Sequence, residues 1–392
     1  MKTIIPYGRQ NINQDDINAI IEVLKSDFLT QGPVVGNFEN AICEYCNVKY
    51  GVATNSATGA LHIACLALNV GAGDHVWTSP ITFVASANCA VYCGAKIDFV
   101  DIDPKTYNIS VSKLAEKLVN AKKNNCLPKV LIPVHFSGQP CDMEAIFQLS
   151  LEYGFKIIED ASHAIGAKYK GVPVGSCTYS DITVFSFHPV KIITTGEGGM
   201  AVTNNIQLYA QMQRLRSHGI TRDPSEMTHA PDGPWYYQQL DLGYNYRMSD
   251  IHAALGLSQI KRLDEFIERR HKIAKLYNEL LEDSNFQIPY QANDSFSSFH
   301  LYVIRVNNSK LKNRKEIFER LRSNGILVNL HYIPVYHHPY YRQFSIDLSK
   351  LDDAESYYEE AISLPIYFGL TDDEVRMIVN TLQTPLNYQT IF

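Results

Sequence analysis

The chain has 392 residues, a length that allows two or three domains of ordinary size. Hydrophobic residues make up 45% of it and charged residues 19%, so there is enough apolar material for a large core, and disorder is excluded as the dominant state. The formal net charge is −6, from 35 Lys and Arg against 41 Asp and Glu, which leaves no basic surplus for non-specific nucleic-acid binding.

Neither a membrane span nor an export signal is predicted. No uninterrupted apolar run approaches the roughly 18 residues of a transmembrane helix, and the first residues become polar too early for a signal peptide. The eight cysteines are too sparse for a disulfide scaffold. Cys43 and Cys46 form a C-x-x-C pair on a predicted helix, without a second pair at zinc-ribbon spacing, and are interpreted as core residues. We therefore expect a soluble, reduced, cytoplasmic protein that binds neither membranes nor nucleic acid.

The first 250 residues alternate short apolar runs with helix-length stretches. Several of the apolar runs are continuous, which is typical of strands covered on both faces. Together with helices at residues 58–68 and 143–153, they predict an α/β fold with a mostly parallel sheet. Ligands of such sheets bind at the carboxyl ends of the strands. The predicted strands are residues 50–54, 75–79, 96–100, 130–134, 156–159, 182–187 and 200–203.

The pattern changes near residue 250. Residues 249–277 have the pattern of a long, charged helical stretch, and a strand is predicted at residues 301–306. A last helix is predicted at residues 371–382, because a capping-box pattern stands at its start. We therefore predict a large α/β domain over residues 1–250 and a smaller α+β domain over residues 251–392.

The segment around Lys191 carries the strongest chemical signal. Lys191 lies just beyond a predicted buried strand, in a segment with little other charge. Most lysines are solvated surface groups. Burial, however, lowers the pKa of an amine and lets it form a Schiff base with a carbonyl or with pyridoxal phosphate, PLP. Ser186, five residues upstream, could meet a cofactor phosphate or be an ordinary serine at a strand end.

A second candidate, Asp160, stands at the carboxyl end of another apolar strand. A carboxylate in this place can pair with the ring nitrogen of PLP and keep it protonated. The alternative is a helix N-cap, a position that aspartate favours. His163 could lie against the cofactor ring or its hydroxyl, and a satisfied core histidine is an equally good interpretation.

Two further segments follow predicted strands. Residues 54–61 open a helix with small residues, where free backbone N–H groups and the helix dipole can bind an anion, although a routine capped helix has the same pattern. Phe83 could stack on a flat ring or belong to the core. His331, His337 and His338 lack a carboxylate or cysteine at ligand spacing, so no metal site is predicted.

In this order and spacing, these segments resemble the DegT/StrS family of PLP-dependent nucleotide-sugar aminotransferases. The resemblance also includes residues 29–33, 243–248 and 331–336, so it covers nearly the whole chain. It implies an aspartate-aminotransferase-like fold (PLP fold type I), PLP as cofactor, and a homodimer with active sites at the subunit interface.

The resemblance also implies roles for single residues. Lys191 matches the lysine that forms the Schiff base, Asp160 matches the partner of the pyridine nitrogen, and His163 stands beside them as a third catalytic residue. The other cofactor contacts that it implies are Ala57, Thr58 and Ser186 at the phosphate, Phe83 on the ring face, and Asn245 from the other subunit.

Within the family, the chain is similar to the branch that serves pseudaminic acid biosynthesis, through residues 55–58, 162–164, 185–191 and 216–219. This similarity implies transfer of the amino group of L-glutamate to carbon 4 of a UDP-linked 4-keto-6-deoxy-N-acetylhexosamine. The product would be UDP-4-amino-4,6-dideoxy-N-acetyl-β-L-altrosamine. The implied contacts to the nucleotide sugar are Tyr7, Asp27, Phe28, Leu29, Thr30, Asn245, Asn329, Leu330, His331 and Tyr332.

Three alternatives stay open at this point. The enzyme could act on a different UDP- or dTDP-linked 4-keto-6-deoxy sugar. It could be a sugar dehydratase, although in those relatives a histidine replaces the lysine, so that Lys191 argues against this reaction. It could also be a non-catalytic regulator with a PLP fold, which the joint presence of Lys191, Asp160 and Ser186 disfavours.

Overall fold

The computed structural model describes residues 4–306, 314–344 and 346–384. The strands are β1 Ile5–Pro6, β2 Tyr50–Thr54, β3 His75–Thr78, β4 Lys96–Phe99, β5 Val130–Ile132, β6 Lys156–Asp160, β7 Lys168–Tyr169, β8 Val172–Pro173, β9 Ile182–Ser186, β10 Gly199–Thr203, β11 Ile220–Thr221, β12 Gln238–Gln239, β13 Phe286–Gln287, β14 Ser295–Phe296, β15 Tyr302–Val306, β16 Ile326–Leu327 and β17 Ala361–Leu364. The α-helices are α1 Gln14–Leu24, α2 Pro33–Cys46, α3 Ala57–Ala67, α4 Ala85–Tyr92, α5 Val111–Lys123, α6 Met143–Tyr153, α7 Ile206–Arg216, α8 Asp250–Gln259, α9 Leu263–Leu281, α10 Arg314–Ser323, α11 Asp352–Glu360 and α12 Asp372–Gln383.

A seven-stranded sheet forms the centre of the molecule, with the strand order β2-β10-β9-β6-β5-β3-β4. β10 runs antiparallel to its two neighbours, whereas the pairs from β9 to β4 are parallel. The strands of this sheet are those predicted from the first 250 residues, with ends that differ by at most two residues. The predicted α/β class with a mostly parallel sheet is therefore confirmed.

Both faces of this sheet are covered, which explains the continuous apolar runs. On one face, Val184 of β9 packs in a cluster with residues of α3, α4 and α7. On the other face, Phe185 of the same strand packs with α2 and the region of α8 and α9. Leu131 of β5 and Ile157 of β6 pack with α5 and α6. Helices on both sides leave the carboxyl ends of the strands as the open edge.

The chain after α8 builds a second sheet, β13-β15-β17, whose strands pair antiparallel. Residues of α9, α10 and α12 pack against it in a core of their own. Thr371 caps α12 in a capping box with Glu374, as predicted. The predicted helix at residues 249–277 is in fact two helices, α8 and α9, joined by the 3-10 turn Ile260–Arg262.

Segments from the first and second parts of the chain pack against each other. β1 pairs in parallel with β16, and Ile5 belongs to the core formed by α9, α10 and α12. In the opposite direction, Ala253 and Phe266 pack against the central sheet. The division into residues 1–250 and 251–392 stays a prediction. This packing places β1 beside the core of the second sheet.

Three further predictions concern disulfides, membrane spans and metal sites. All eight cysteines are free, and Cys43 and Cys46 are buried on α2. Within the described ranges, no helix has both the length and the apolar character needed to cross a membrane. The same residues contain no group of three or more His, Cys, Asp or Glu side chains placed to hold a metal ion.

Candidate active site

A cavity of about 510 Å³ opens at the carboxyl ends of β6 and β9. It receives residues from the central sheet and from the segment after β16, so both parts of the chain contribute to it. The predicted site residues in its wall are Tyr7, Ala57, Thr58, Phe83, Asp160, His163, Ser186, Lys191, Asn329, Leu330, His331 and Tyr332.

Lys191 reaches the cavity from a turn that follows β9. The backbone N–H of Lys191 donates to the carbonyl oxygen of His188 at 2.9 Å, which closes this turn. Burial lowers the pKa of the Lys191 amine to about 8, although the negative charge of Asp160 acts in the opposite direction. A substantial fraction of this amine is therefore neutral near physiological pH.

Asp160 is the last residue of β6, and its side chain is buried. Its Oδ2 accepts a hydrogen bond from Ser86 Oγ at 2.6 Å, and its Oδ1 accepts one from the backbone N–H of Ser162 at 3.1 Å. The residues after Asp160 form turns and no helix starts there, so the N-cap alternative is wrong. Asp160 instead presents an oriented carboxylate to the cavity.

Histidine and tyrosine side chains form one wall of the cavity. His163 Nε2 is hydrogen-bonded to the Tyr332 hydroxyl at 3.0 Å, and the His163 ring lies 4.4 Å from that of His300. Burial holds the pKa values of His163 and His300 well below the ordinary range and lowers that of His331 to about 3. These imidazoles are therefore neutral at physiological pH. The Nδ1 atoms of His163 and His300 are buried and lack a hydrogen-bond partner.

The start of α3 forms an anion cradle. Ser56 caps the helix by accepting from the Gly59 N–H at 3.1 Å, so the N–H groups of Ala57 and Thr58 remain without partners inside the helix. A Cβ added at Gly199 would lie 2.4 Å from the backbone nitrogen of Ala57, so only glycine allows β10 to come this close. Ser186, the last residue of β9, lines the same end of the cavity.

These groups together fit PLP. The cradle suits a phosphate, Lys191 offers an amine, and Asp160 offers a carboxylate for a ring nitrogen. Phe83 is 58% exposed, and its ring centroid lies 6.2 Å from that of Tyr332, so its face is available to a flat ring. An unpartnered Nδ1 on His163 provides a further polar atom for a ligand.

Five of the predicted site residues do not line the cavity of the single chain. Asn245 is exposed, and its backbone oxygen accepts from Asn55 Nδ2 at 3.4 Å. Asp27, Phe28, Leu29 and Thr30 are also exposed, in the segment between α1 and α2. The roles assigned to all five residues stay predictions.

The sequence pattern does not single out two residues that the fold brings to the site. Ser86 lies three residues after Phe83, and His300 directly precedes the predicted strand at residues 301–306. The bond from Ser86 to Asp160 joins positions 74 residues apart, and no local pattern reports such a contact. A conspicuous histidine before an apolar strand was the only signal for His300.

Residues 10–383 match the DegT/DnrJ/EryC1/StrS aminotransferase family. The chain belongs to this family. A relative from Campylobacter jejuni subsp. jejuni serotype O:23/36 (strain 81-176), named UDP-4-amino-4,6-dideoxy-N-acetyl-beta-L-altrosamine transaminase, is 39% identical over 380 residues, which cover 97% of this chain and 96% of the relative.

Solved structures of sugar aminotransferases share the fold. Helicobacter pylori PseC, an aminotransferase involved in the biosynthesis of pseudoaminic acid, is similar with a TM-score of 0.88 at 32% identity, covering 97% of this chain and 98% of PseC. Streptococcus pneumoniae Spr1654, described as a candidate sugar aminotransferase and solved in a PLP form, has a TM-score of 0.87 at 30% identity, with 97% and 98% of the chains covered.

This member of the DegT/DnrJ/EryC1/StrS family is thus a PLP-dependent sugar aminotransferase with the aspartate-aminotransferase-like fold. The predicted family, fold, enzyme class and cofactor are confirmed. Because the enzyme is an aminotransferase, the dehydratase and regulator alternatives do not apply.

Proposed function

We propose that the protein transfers the amino group of L-glutamate to carbon 4 of a UDP-linked 4-keto-6-deoxy-N-acetylhexosamine. The product is UDP-4-amino-4,6-dideoxy-N-acetyl-β-L-altrosamine, in pseudaminic acid biosynthesis. The observation that carries the proposal is that Lys191, Asp160 and the start of α3 meet around one cavity. The choice of sugar is supported by the Campylobacter relative, whose name states this product.

Lys191 holds PLP and moves the proton in this proposal. PLP, when bound, supplies the electron sink for the carbon that loses or gains a proton. An amine whose pKa is about 8 serves both as base and as acid near neutral pH, because neither form is strongly favoured. Lys191 can therefore act in both half-reactions, on the amino donor and on the sugar.

Asp160 and the α3 cradle orient the cofactor in this proposal. The two hydrogen bonds to the Asp160 carboxylate fix its plane, so that it can hold a proton on the ring nitrogen. The N–H groups of Ala57 and Thr58, with the Ser186 hydroxyl, bind the phosphate. Phe83 supports one face of the ring, and the neutral His163 offers its free Nδ1 atom to the cofactor.

The sugar is proposed to bind on the side where β1 and β16 meet. The pairing of these strands brings Tyr7 beside the segment at residues 329–332, and the ring centroids of Tyr7 and His331 are 5.2 Å apart. Aromatic faces and neutral hydrogen-bonding groups suit a hexose, which carries hydroxyl and acetamido groups but no charge of its own. We also propose a cytoplasmic homodimer in which Asn245 enters the active site of the partner.

A substrate panel tests the proposal. PLP-loaded protein is incubated with L-glutamate and each of a set of UDP- and dTDP-linked 4-keto-6-deoxy sugars, and amino sugars are identified by mass spectrometry. We expect amination of the UDP-linked N-acetylhexosamine substrate. Lys191→Ala should reduce turnover by on the order of a thousand-fold, whereas Lys275→Ala, at an exposed position of α9, should not.

Different results would contradict the choice of sugar and the assignment of the active site. Preference for a dTDP-linked sugar would leave the aminotransferase in place and overturn the choice of substrate. Normal turnover by Lys191→Ala would overturn the assignment of the site itself.

A further inference from the structure

Two hydroxyl groups connect the turn that carries Phe83 with the carboxylate of Asp160. Thr82 Oγ1 lies 2.7 Å from Ser86 Oγ, and Ser86 Oγ lies 2.6 Å from Asp160 Oδ2. Thr82, Ser86 and Asp160 are all buried, with at most 4% of each residue exposed. The three side chains therefore form a buried series of hydrogen bonds in the wall of the cavity.

The number of protons on the three side chains determines which group donates each hydrogen bond. A serine hydroxyl has one proton, and the ionised carboxylate can only accept. Ser86 Oγ also lies 3.3 Å from the carbonyl oxygen of Phe83, but the shorter, charge-assisted bond to Asp160 is the stronger one. Ser86 therefore donates to Asp160, and its oxygen is left to accept the proton of Thr82.

We propose that Ser86 is a positioning residue for the cofactor, with Thr82 as its support. Ser86 holds Oδ2 of Asp160 while the Ser162 N–H holds Oδ1, so the carboxylate cannot rotate away from the ring nitrogen. Because Ser86 lies in the first turn of α4, the same bond fixes the turn bearing Phe83 relative to Asp160. The inference deepens the proposed function and rests on the role proposed there for Asp160.

The first test measures PLP binding and ring protonation in the full-length protein. For Ser86→Ala, we expect the dissociation constant of PLP to rise about ten-fold, the size of one hydrogen bond to a charged group. With 15N-labelled PLP, 15N NMR should show that the ring nitrogen loses its proton at lower pH than in the wild type. Ser86→Thr, which keeps the hydroxyl, should recover most of both properties.

A matched control removes a buried serine hydroxyl elsewhere. Ser150 of α6 donates to the Phe147 carbonyl at 2.7 Å, away from the cavity. Ser150→Ala should leave both readouts at wild-type values. If Ser86→Ala fails to fold, Thr82→Val supplies the second test, and we expect it to raise the dissociation constant of PLP about three-fold. A variant that folds and leaves both PLP binding and ring protonation unchanged would overturn the proposal.

A double-mutant cycle separates positioning from structural damage. In an Asp160→Asn background, adding Ser86→Ala should change the PLP dissociation constant by less than about two-fold, because its partner has lost its charge. A ten-fold loss in both backgrounds would overturn the proposal. If Asp160→Asn alone left ring protonation unchanged, the role of Asp160 would be wrong and the proposed function would fail at that point.

Discussion

The reactivity of Lys191 comes from its surroundings. An exposed lysine amine has a pKa near 10.5, and burial in this cavity lowers the pKa of Lys191 to about 8. At pH 7.5 this shift raises the neutral, reactive fraction of the amine by roughly two hundred-fold. Asp160 opposes the shift because its negative charge favours the ammonium form. The lysine is thereby neutral enough to react and charged enough to return a proton.

The first prediction concerns this titration. In protein freed of PLP, the rate at which acetic anhydride labels Lys191 should rise with pH along a titration curve whose midpoint lies at about 8, because the reagent attacks the neutral amine. Peptide mass spectrometry measures the labelling, with the exposed Lys275 in the same digest as the reference. A labelling midpoint close to 10.5 at Lys191 would contradict its burial in the cavity.

Single residues differ in how far the sequence could reveal them. Lys191, Asp160 and Ser186 each follow an apolar run, and the carboxyl end of a strand is where a parallel sheet binds its ligand. Position along the chain was therefore enough to select them. Ser86 and His300 reach the site through contacts between distant segments, and only the folded chain brings those segments together.

At the scale of the element, β6 serves two different sites through neighbouring residues. Successive side chains of a strand point to opposite faces, so Asp160 lies at the cavity while Glu159 points into a buried network behind it. His135 Nε2 lies 2.6 Å from Oε2 of Glu159, and the Thr183 hydroxyl donates to Oε1 of Glu159 at 3.0 Å. His135 Nδ1 accepts from the Cys141 N–H, so the His135 proton sits on Nε2 and is donated to Glu159.

The second prediction is that Glu159→Gln destabilises the fold. The amide has only one acceptor oxygen and no charge, so at least one of the buried donors around it loses its partner, which costs about 2–3 kcal/mol and is measured by urea unfolding at pH 7. Burial alone would raise the pKa of Glu159, but the bonds from His135, Ser180 and Thr183 lower it. The ionised carboxylate therefore stabilises the fold above pH 4.5, its unfolded value, and less as the pH falls further.

This pH dependence distinguishes the charge from packing. The stability difference between wild type and Glu159→Gln should narrow as the pH falls below 4.5, since the wild-type carboxyl then gains a proton. Glu144→Gln, which removes an exposed partner of Lys170, should change stability by less than about 1 kcal/mol. A difference independent of pH would show that the glutamate acts through shape alone.

The elements were easier to predict than their arrangement. Continuous apolar runs identified the seven strands of the central sheet because burial on both faces leaves that signature. Their order, with β10 antiparallel beside β2, depends on pairing between segments far apart in sequence. β1 has two residues and pairs with β16, so its short pattern gave no signal of its own.

At the scale of the whole molecule, the cavity of one chain is short of positive charge. Among the described residues that line it, Lys191 is the only lysine and there is no arginine. A nucleotide diphosphate and the carboxylates of glutamate require cations, usually arginines. Residues 243–248, which include Arg247 and the exposed Asn245, do not line this cavity, and an isologous dimer would carry such a segment to the other active site. This shortage supports the proposed homodimer.

The last prediction tests shared active sites by complementation. Lys191→Ala and Asn245→Ala should each abolish most activity alone. When the two variants are unfolded together and refolded as a mixture, half of the dimers are mixed, and each mixed dimer has one intact site. Activity should return to about a quarter of the wild-type value. If Asn245 served the active site of its own subunit, no site in the mixture would contain both Lys191 and Asn245. A mixture without activity would therefore overturn the shared site, provided that size-exclusion chromatography shows that dimers have reformed.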